Sequence, residues 1–335
     1  MNLLALDAEP IPVTVLMGFL GSGKTTLLRH LLNHPDMDET AVIVNEFGEV
    51  GLDHMLLETS DENMLLLDNG CLCCGLRGDL VDTLHSLLER RVRGEIPPFT
   101  RVIIETTGLA DPVPVMQTFR TDPLRLSQYE LASLVTCFDA VNGRHSVENH
   151  GEAERQVALA DTIIITKGDL GDVEDAESEI ERWNNRSTIH RAVQGEIDPN
   201  HVLSGVARFD PQEPRGHHHD RIVSVVVKGE AALSWEHVRL SVTELVETHG
   251  DKLLRVKGLL MVEGQDGPVS VDGVQHLFHR PRPLETWPEG IDGPFLVGIA
   301  ENTAADAVRQ WLGAVVCPDQ SAPSDDENFQ ESATA

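Results

Sequence analysis

The 335-residue chain is predicted to contain an α/β unit built on a mostly parallel sheet, followed by a smaller α+β unit. In its first part, apolar runs rich in Val, Ile and Leu alternate with segments of helical periodicity. Continuous apolar strands that alternate with helices indicate a parallel sheet with both faces covered. Strands are predicted at 13–17, 41–44, 64–67, 102–104, 134–138 and 162–165, and helical patterns between them include 26–32, 80–90 and 152–160.

A change in composition separates the two units. Residues 196–220 are rich in Gly, Pro and polar residues and are predicted to be a linker, which leaves 1–195 as the first domain. The second domain is predicted at 221–317, with strands at 223–227, 258–262 and 295–299 and helices at 235–248 and 304–312. The tail, 318–335, is rich in Ser, Asp, Glu and Gln and is expected to be disordered.

The charge balance argues against several classes of partner. Lys and Arg total 26 against 55 Asp and Glu, a net charge of -29 that repels nucleic acid and anionic lipid. No apolar run of about 18 residues occurs, and residues 1–12 lack a signal-peptide pattern. Three of the five cysteines fall within four positions, which disfavours a disulfide framework. We expect a cytoplasmic protein that binds neither nucleic acid nor a membrane.

Residues 18–25 read G-F-L-G-S-G-K-T, a complete phosphate-binding loop (P-loop) motif between a predicted strand and a predicted helix. Glycines allow close approach of the backbone to a phosphate, and amides at the helix start point at it. Lys24 supplies a cation for the β and γ oxygens, and Thr25 supplies a hydroxyl ligand for Mg²⁺. The α/β unit is thus predicted to have the P-loop NTPase fold. The predicted phosphate-binding residues are Gly18, Gly21, Ser22, Gly23, Lys24, Thr25 and Thr26, of which Lys24 and Thr25 are also assigned to catalysis.

The tetrapeptide Thr166-Lys167-Gly168-Asp169 follows a predicted strand and differs at one position from N-K-x-D, the sequence by which GTPases recognise guanine. A carboxylate at Asp169 can accept from guanine N1 and N2 together, whereas adenine offers no such pair of donors. The aliphatic stem of Lys167 can lie over the base, while Thr166 replaces an amide that usually steadies this loop. We therefore predict GTP as the nucleotide, with Thr166, Lys167 and Asp169 at the base.

A second phosphate-side segment, Glu105-Thr106-Thr107-Gly108, ends the strand expected beside the P-loop. Glu105 is predicted to be catalytic and to hold Mg²⁺ directly or through water, and the amide of Gly108 is predicted to sense the γ-phosphate. The segment 45–49 occupies the place of a nucleotide-responsive switch, and Glu46 within it is a further candidate metal ligand.

Three cysteines, Cys71, Cys73 and Cys74, lie between glycines in a predicted loop after the strand 64–67. Thiolates suit Zn²⁺ or Cu⁺, and Zn²⁺ prefers four ligands in a tetrahedron, so a fourth ligand or a water is needed. A position without a protein ligand would allow transfer of the metal to another protein. The alternative chemistry is redox, through a C-x-C or vicinal disulfide.

Two further features are compatible with more than one role. The run His217–His219 either collects metal ions weakly or is a solvated linker. Arg77, near the cysteines in sequence, is a candidate arginine finger.

Five motifs occur in order along the chain: G-F-L-G-S-G-K-T-T at 18–26, N-E-F-G-E-V-G-L-D at 45–53, G-C-L-C-C at 70–74, E-T-T-G-L-A-D-P at 105–112 and T-K-G-D at 166–169. Together they resemble the CobW-type metallochaperone GTPases, and L-R-V-K-G at 254–258 with Trp287 extends the resemblance into the second domain. The resemblance implies a cytoplasmic GTPase, related to the nickel-insertion GTPases of urease and hydrogenase maturation. Such a protein would hold Zn²⁺ or Co²⁺ at the cysteine motif and deliver it to a client metalloprotein, with a homodimer as one option for its assembly.

Two other functions are compatible with the same motifs. A nucleotide-gated metal sensor or store would hydrolyse GTP slowly and deliver nothing, so GTP-dependent passage of metal to a second protein separates it from a chaperone. A small-molecule kinase would use the same P-loop, and an acceptor pocket with adenine preference would indicate it. Because the cysteine loop and the Gly108 loop both follow strands of one parallel sheet, we also expect the metal and nucleotide sites to be coupled.

Overall fold

The computed structural model describes residues 10–44, 65–68, 76–121, 126–203, 222–249, 252–274, 277–278 and 281–317. The first domain contains a sheet with the strands β1 (Ile11–Gly18), β2 (Thr40–Val44), β3 (Leu65–Asp68), β4 (Arg101–Glu105), β5 (Tyr129–Asp139), β6 (Thr162–Thr166) and β7 (Thr188–Arg191). They lie in the order β3-β2-β4-β1-β5-β6-β7, and all neighbouring pairs are parallel. The predicted parallel sheet is confirmed.

Helices cover both faces of this sheet. They are α1 (Lys24–Leu32), a 3₁₀ turn (Pro35–Met37), α2 (Leu76–Arg93), α3 (Pro112–Thr121), α4 (Gly143–Asn149), α5 (Gly151–Leu159), α6 (Val173–Trp183) and α7 (Asn200–Leu203). Successive side chains of a strand point to opposite faces. Val15 of β1 accordingly lies in one buried cluster with Leu84, whereas its neighbour Leu16 lies in another with Leu27.

The second domain is built on an antiparallel sheet. Its strands are β8 (Ile222–Lys228), β9 (Leu253–Leu260), β10 (Val269–Val274), β11 (Leu277–Phe278), β12 (Arg282–Pro283) and β13 (Phe295–Glu301), and its helices are α8 (Trp235–His249), a 3₁₀ turn (Asn302–Ala304) and α9 (Ala305–Val316). The strand order is β11-β10-β9-β13-β8, with β12 paired to β10. Val308 and Leu312 of α9 are fully buried in the apolar cluster of this domain. The predicted α+β organisation is confirmed.

Several elements differ from the sequence-based expectation. The limits of the strand predicted at 258–262 were wrong, since β9 spans Leu253–Leu260. Its first half was missed because it contains Arg255 and Lys257, and charged residues are not typical of a buried strand. The short edge strand β7 lacks an apolar run and was not predicted. Helix α3 begins with Pro112 and also contains Pro114, and proline is tolerated in the first turn of a helix.

The predicted linker, 196–220, begins with residues that pack on the first domain. Asn200–Leu203 form α7, and Val202 is fully buried in the cluster that contains Leu27 of α1. Residues 204–221 and the tail 318–335 lie outside the described residues. Within the described part of the chain, no helix is long and apolar enough to cross a membrane.

The two domains meet at a buried cluster of charged side chains. Asp161, directly before β6, is 4 % exposed and accepts hydrogen bonds from the amide of Leu134 at 2.9 Å and from Arg255 at 3.1 Å. Lys257 also contacts this carboxylate, and Asp272 of β10 lies 3.2 Å from Arg255. A buried charge without a partner is strongly unfavourable, so the oppositely charged groups stabilise the contact between the domains.

Replacing Asp161 by Ala should lower the free energy of unfolding by about 3–5 kcal/mol, because Arg255 then stays buried without this carboxylate. Urea unfolding followed by circular dichroism measures the change. The matched control is Arg282→Ala, since Arg282 pairs with Glu130 across the same boundary but is 64 % exposed. Its loss should be below about 1 kcal/mol. Equal losses in the two variants would contradict this account of the domain contact.

Candidate nucleotide-binding site

An open cleft of about 860 Å³ lies at the carboxyl end of the first sheet. Its walls include the P-loop, the segment 105–111 after β4, and Lys167 after β6. Because β1 pairs in parallel with β4, the loops that follow these strands leave the sheet at the same edge. Ligands of open α/β sheets bind at this edge. The cleft is therefore the candidate nucleotide site.

The P-loop has the backbone geometry that its glycines allow. Gly23 has a φ of 90°, a left-handed conformation open to glycine at little cost, and α1 begins at the next residue. No side chain caps α1, and its first turn contains no acidic residue. The partial positive charge of a helix N-terminus suits a phosphate there. Of the predicted phosphate-binding residues, Gly21, Ser22, Gly23, Lys24, Thr25 and Thr26 line the cleft, whereas Gly18 is not among the residues that line it.

The side chain of Lys24 lies across the P-loop. Its Nζ donates to the carbonyl oxygen of Gly18 at 2.8 Å and to that of Phe19 at 3.2 Å. The residue is only 8 % exposed. The ammonium group is therefore fixed against the P-loop backbone, and its contact with phosphate oxygens stays a prediction.

Thr25 and Glu105 are brought together from different elements. The hydroxyl of Thr25, in the first turn of α1, donates to Oε1 of Glu105, at the end of β4, at 3.0 Å. Glu105 is 5 % exposed and, like Thr25, lines the cleft. A hydroxyl and a carboxylate are hard oxygen ligands of the kind that Mg²⁺ prefers. This pair fits the metal that accompanies a nucleoside triphosphate.

Gly108 lies directly against the P-loop. A Cβ atom at this position would approach the backbone nitrogen of Leu20 to 2.6 Å, closer than a side chain tolerates. Only glycine fits this close approach. The peptide groups around Gly108 therefore border the cleft beside the P-loop, and the sensing of a γ-phosphate by this residue stays a prediction.

The segment predicted to bind the base divides into residues with different surroundings. The hydroxyl of Thr166 donates to the carbonyl oxygen of Ser22 at 2.6 Å, so this side chain ties the end of β6 to the P-loop. Lys167 has a φ of 55° and lines the cleft. Asp169 is exposed to solvent. Thr166 thus supplies an anchoring contact in the position where the related motif has Asn.

Sequence reasoning missed Asp139, the last residue of β5. Its Oδ2 accepts a hydrogen bond from Nζ of Lys167 at 2.6 Å. Burial raises the pKa of Asp139, but hydrogen bonds from Lys167, Val141 and Asn142 outweigh burial and leave the pKa below its usual value. The ionised carboxylate therefore holds the head of Lys167. The available signal was an acid immediately after the predicted strand 134–138.

Several of the predicted functional residues lie outside the described residues. This applies to Glu46 and the switch segment, to Cys71, Cys73 and Cys74, to His217–His219, and to the side chain of Arg77. In the part of the chain that is described, no group of three or more His, Cys, Asp or Glu side chains is placed to hold a metal ion. Burial raises the pKa of the Cys137 thiol to about 12, which keeps it protonated.

Two known families match most of the chain. Residues 12–193 match the family described as CobW/HypB/UreG, nucleotide-binding domain. Residues 222–316 match the cobalamin synthesis protein cobW C-terminal domain. These two matches correspond to the two sheets of the structure.

Individual relatives agree with the family match. The chain is 37 % identical over 281 residues to zinc chaperone YjiA of Escherichia coli, covering 81 % of this chain and 88 % of the relative. It is 32 % identical over 317 residues to zinc chaperone CobW of Pseudomonas aeruginosa, covering 81 % and 82 %. The crystal structure of Zn(II)-bound YjiA GTPase from E. coli superposes with a TM-score of 0.67 and 30 % identity, covering 92 % of this chain and 99 % of that chain. The resemblance predicted from the sequence motifs is confirmed: the chain belongs to the CobW family.

Proposed function

We propose that the protein is a GTP-hydrolysing metallochaperone that binds Zn²⁺ at its C-x-C-C motif and transfers it to a client metalloprotein. The observation that carries the GTPase part is the contact between Thr25 and Glu105 beside Lys24 in the cleft. This contact joins a hydroxyl and a carboxylate from two elements at the place where the phosphates of a nucleotide would bind. Relatives named as zinc chaperones support the metal part.

Each phosphate-side residue has a separate task in hydrolysis. Lys24 and the amides at the start of α1 bind the β and γ oxygens and stabilise the charge that develops on them. Thr25 and Glu105 would hold Mg²⁺, which would neutralise negative charge on the phosphates. Gly108 contributes its amide to the γ-phosphate. Gly108 belongs to the segment after β4 and lies against Leu20 of the P-loop. Binding or loss of the γ-phosphate would therefore act directly on this segment.

Recognition of guanine rests on two residues after β6. The exposed carboxylate of Asp169 accepts from N1 and N2 of the base, a donor pair that adenine lacks. Asp139 holds Nζ of Lys167 at 2.6 Å, which fixes the side chain whose stem lies over the base. Fixing the long lysine side chain beforehand reduces the entropy lost when the base binds.

The cysteine motif supplies the metal site. Cys71, Cys73 and Cys74 provide three soft ligands within four residues, and a fourth position taken by water or by a client would allow transfer. Thiolates in this number need a reducing compartment, so we place the protein in the cytoplasm. If Zn²⁺ is held tightly in the GTP-bound state and released in the GDP-bound state, hydrolysis makes its transfer to the client directional.

Asp169→Ala should weaken GTP binding by several kcal/mol, since hydrogen bonds to a charged group contribute about 1.5–3 kcal/mol each. Titration calorimetry with GTP and ATP measures the preference. Asp169→Asn is the sharper variant, because its amide group can donate to the C2 carbonyl of xanthine and should shift the preference from GTP to XTP. A misfolded variant could not gain XTP binding. Equal affinity of the wild type for GTP and ATP would overturn the guanine assignment.

The reduced protein should bind one Zn²⁺, and Co²⁺ used as a probe should give an intense thiolate charge-transfer band. Changing Cys71, Cys73 and Cys74 together to Ser should abolish the band, and metal affinity should fall at lower pH because the ligands must be deprotonated. Cys137→Ser is the matched control and should leave the band unchanged, since this thiol is buried and protonated. A band retained in the triple variant would move the site elsewhere, with His217–His219 tested next.

A further inference from the structure

Gln156, on α5, is a buried polar residue that none of the motifs includes. It is 1 % exposed, and its Nε2 donates to the carbonyl oxygen of Ala110 at 2.9 Å and to that of Gly108 at 3.3 Å. Both partners are acceptors, so the nitrogen of the amide must face them. One side chain thus anchors both ends of the tripeptide that contains Gly108.

The same helix holds this segment at a second point. Arg155, the neighbour of Gln156, contacts Oδ2 of Asp111 at 2.8 Å. The other carboxylate oxygen of Asp111 accepts from the amide of Val113 at 3.0 Å and so caps the start of α3. Residues 108–111 are therefore fixed from one side by α5, while Gly108 lies against the P-loop on the other.

The contacts of Gln156 should affect recognition of the γ-phosphate and not recognition of the rest of the nucleotide. Gly108 has an unusually free backbone, so the direction of its amide depends on what holds the neighbouring peptide groups. With the carbonyl groups of Gly108 and Ala110 held by Gln156, the amide direction is set before the nucleotide binds. Without Gln156, binding of a γ-phosphate would have to order this loop. GDP has no γ-phosphate and would not be affected by this loss.

We propose that Gln156 is a positioning residue for discrimination between GTP and GDP, acting by holding the Gly108–Ala110 loop in the orientation that a γ-phosphate requires. The proposal rests on the proposed function, because it assumes that this cleft binds GTP. It assigns a role to a residue that touches the loop and not the nucleotide. The side chain acts through two backbone carbonyl groups.

The test compares affinities for a non-hydrolysable GTP analogue and for GDP by titration calorimetry. Gln156→Met keeps the size of the side chain and removes the donor. Analogue affinity should fall about fivefold to thirtyfold, the range expected when a residue must be ordered on binding. GDP affinity should stay within about twofold, because groups without shared contacts have nearly independent effects. The KM for GTP should rise correspondingly.

Asn184→Leu is the matched control. Asn184 is also a buried amide, and it donates to three carbonyl groups of the α5 region, those of Val157 at 2.8 Å, Ala158 at 3.4 Å and Ala160 at 2.9 Å; these hydrogen bonds do not involve the Gly108 loop. Its loss should destabilise the fold while leaving the ratio of analogue to GDP affinity unchanged. An equal fall of the ratio of analogue to GDP affinity in both variants would show that the effect comes from general destabilisation of the protein. That result would overturn the proposal.

Two further outcomes separate the inference from the function on which it rests. A wild-type protein that binds neither guanine nucleotide would contradict the proposed function itself. A wild type that binds both, with an unchanged ratio in Gln156→Met, would contradict only the role of Gln156. If Gln156→Met does not fold, Gln156→Asn is the second variant, because its shorter side chain moves the donor away from the loop by one methylene. This variant should also lower the ratio of analogue to GDP affinity. An unchanged ratio in Gln156→Asn would overturn the proposal.

Discussion

The parallel pairing of β1 with β4 is the constraint on which the site depends. In this register Leu16, two residues before the P-loop begins, lies opposite Glu105. The loop then returns the chain so that Thr25 reaches the same carboxylate at 3.0 Å. A shift of one residue in the register would turn Glu105 to the other face of the sheet. The buried apolar side chains of both strands oppose such a shift, since each face packs against its own cluster.

The helix α5 links the nucleotide cleft to the second domain. On one side it contacts residues 108–111 through Arg155 and Gln156. At its end, the carbonyl group of Leu159 accepts a hydrogen bond from Arg255 of the second domain. Asp161, two residues later, is enclosed by the charged cluster between the domains. A nine-residue helix therefore contacts both the Gly108 side of the cleft and the domain boundary.

The parts of this structure that were predictable from sequence are those with a local signal. The P-loop could be assigned because the glycines, Lys24 and Thr25 have fixed spacing, and the central strands because they are continuously apolar. The position of Glu105 beside the P-loop could be predicted because it follows a buried strand. The limits of β9 could not, since the charge of Arg255 in this buried strand is neutralised by two distant carboxylates, Asp161 of the other domain and Asp272 of β10.

Contacts between distant segments left no such signal. Nothing in the sequence near Gln156 indicates that its amide reaches Gly108 and Ala110, 48 and 46 residues away. The pairing of Lys167 with Asp139 depends in the same way on β5 and β6 being neighbours. The anchoring role of Thr166 also requires the tertiary structure, because its partner, Ser22, is 144 residues distant.

The central claim is that the nucleotide controls how tightly the metal is held. The most direct measurement is a competition titration of Zn²⁺ against a chromogenic chelator, with the protein saturated either by a GTP analogue or by GDP. Coupling between two sites is typically about 1–3 kcal/mol and must be reciprocal. We therefore expect Zn²⁺ affinity to be about fivefold to 150-fold higher with the analogue, and Zn²⁺ to raise analogue affinity relative to GDP by the same factor. Identical Zn²⁺ affinities in the two nucleotide states would contradict a GTP-driven chaperone.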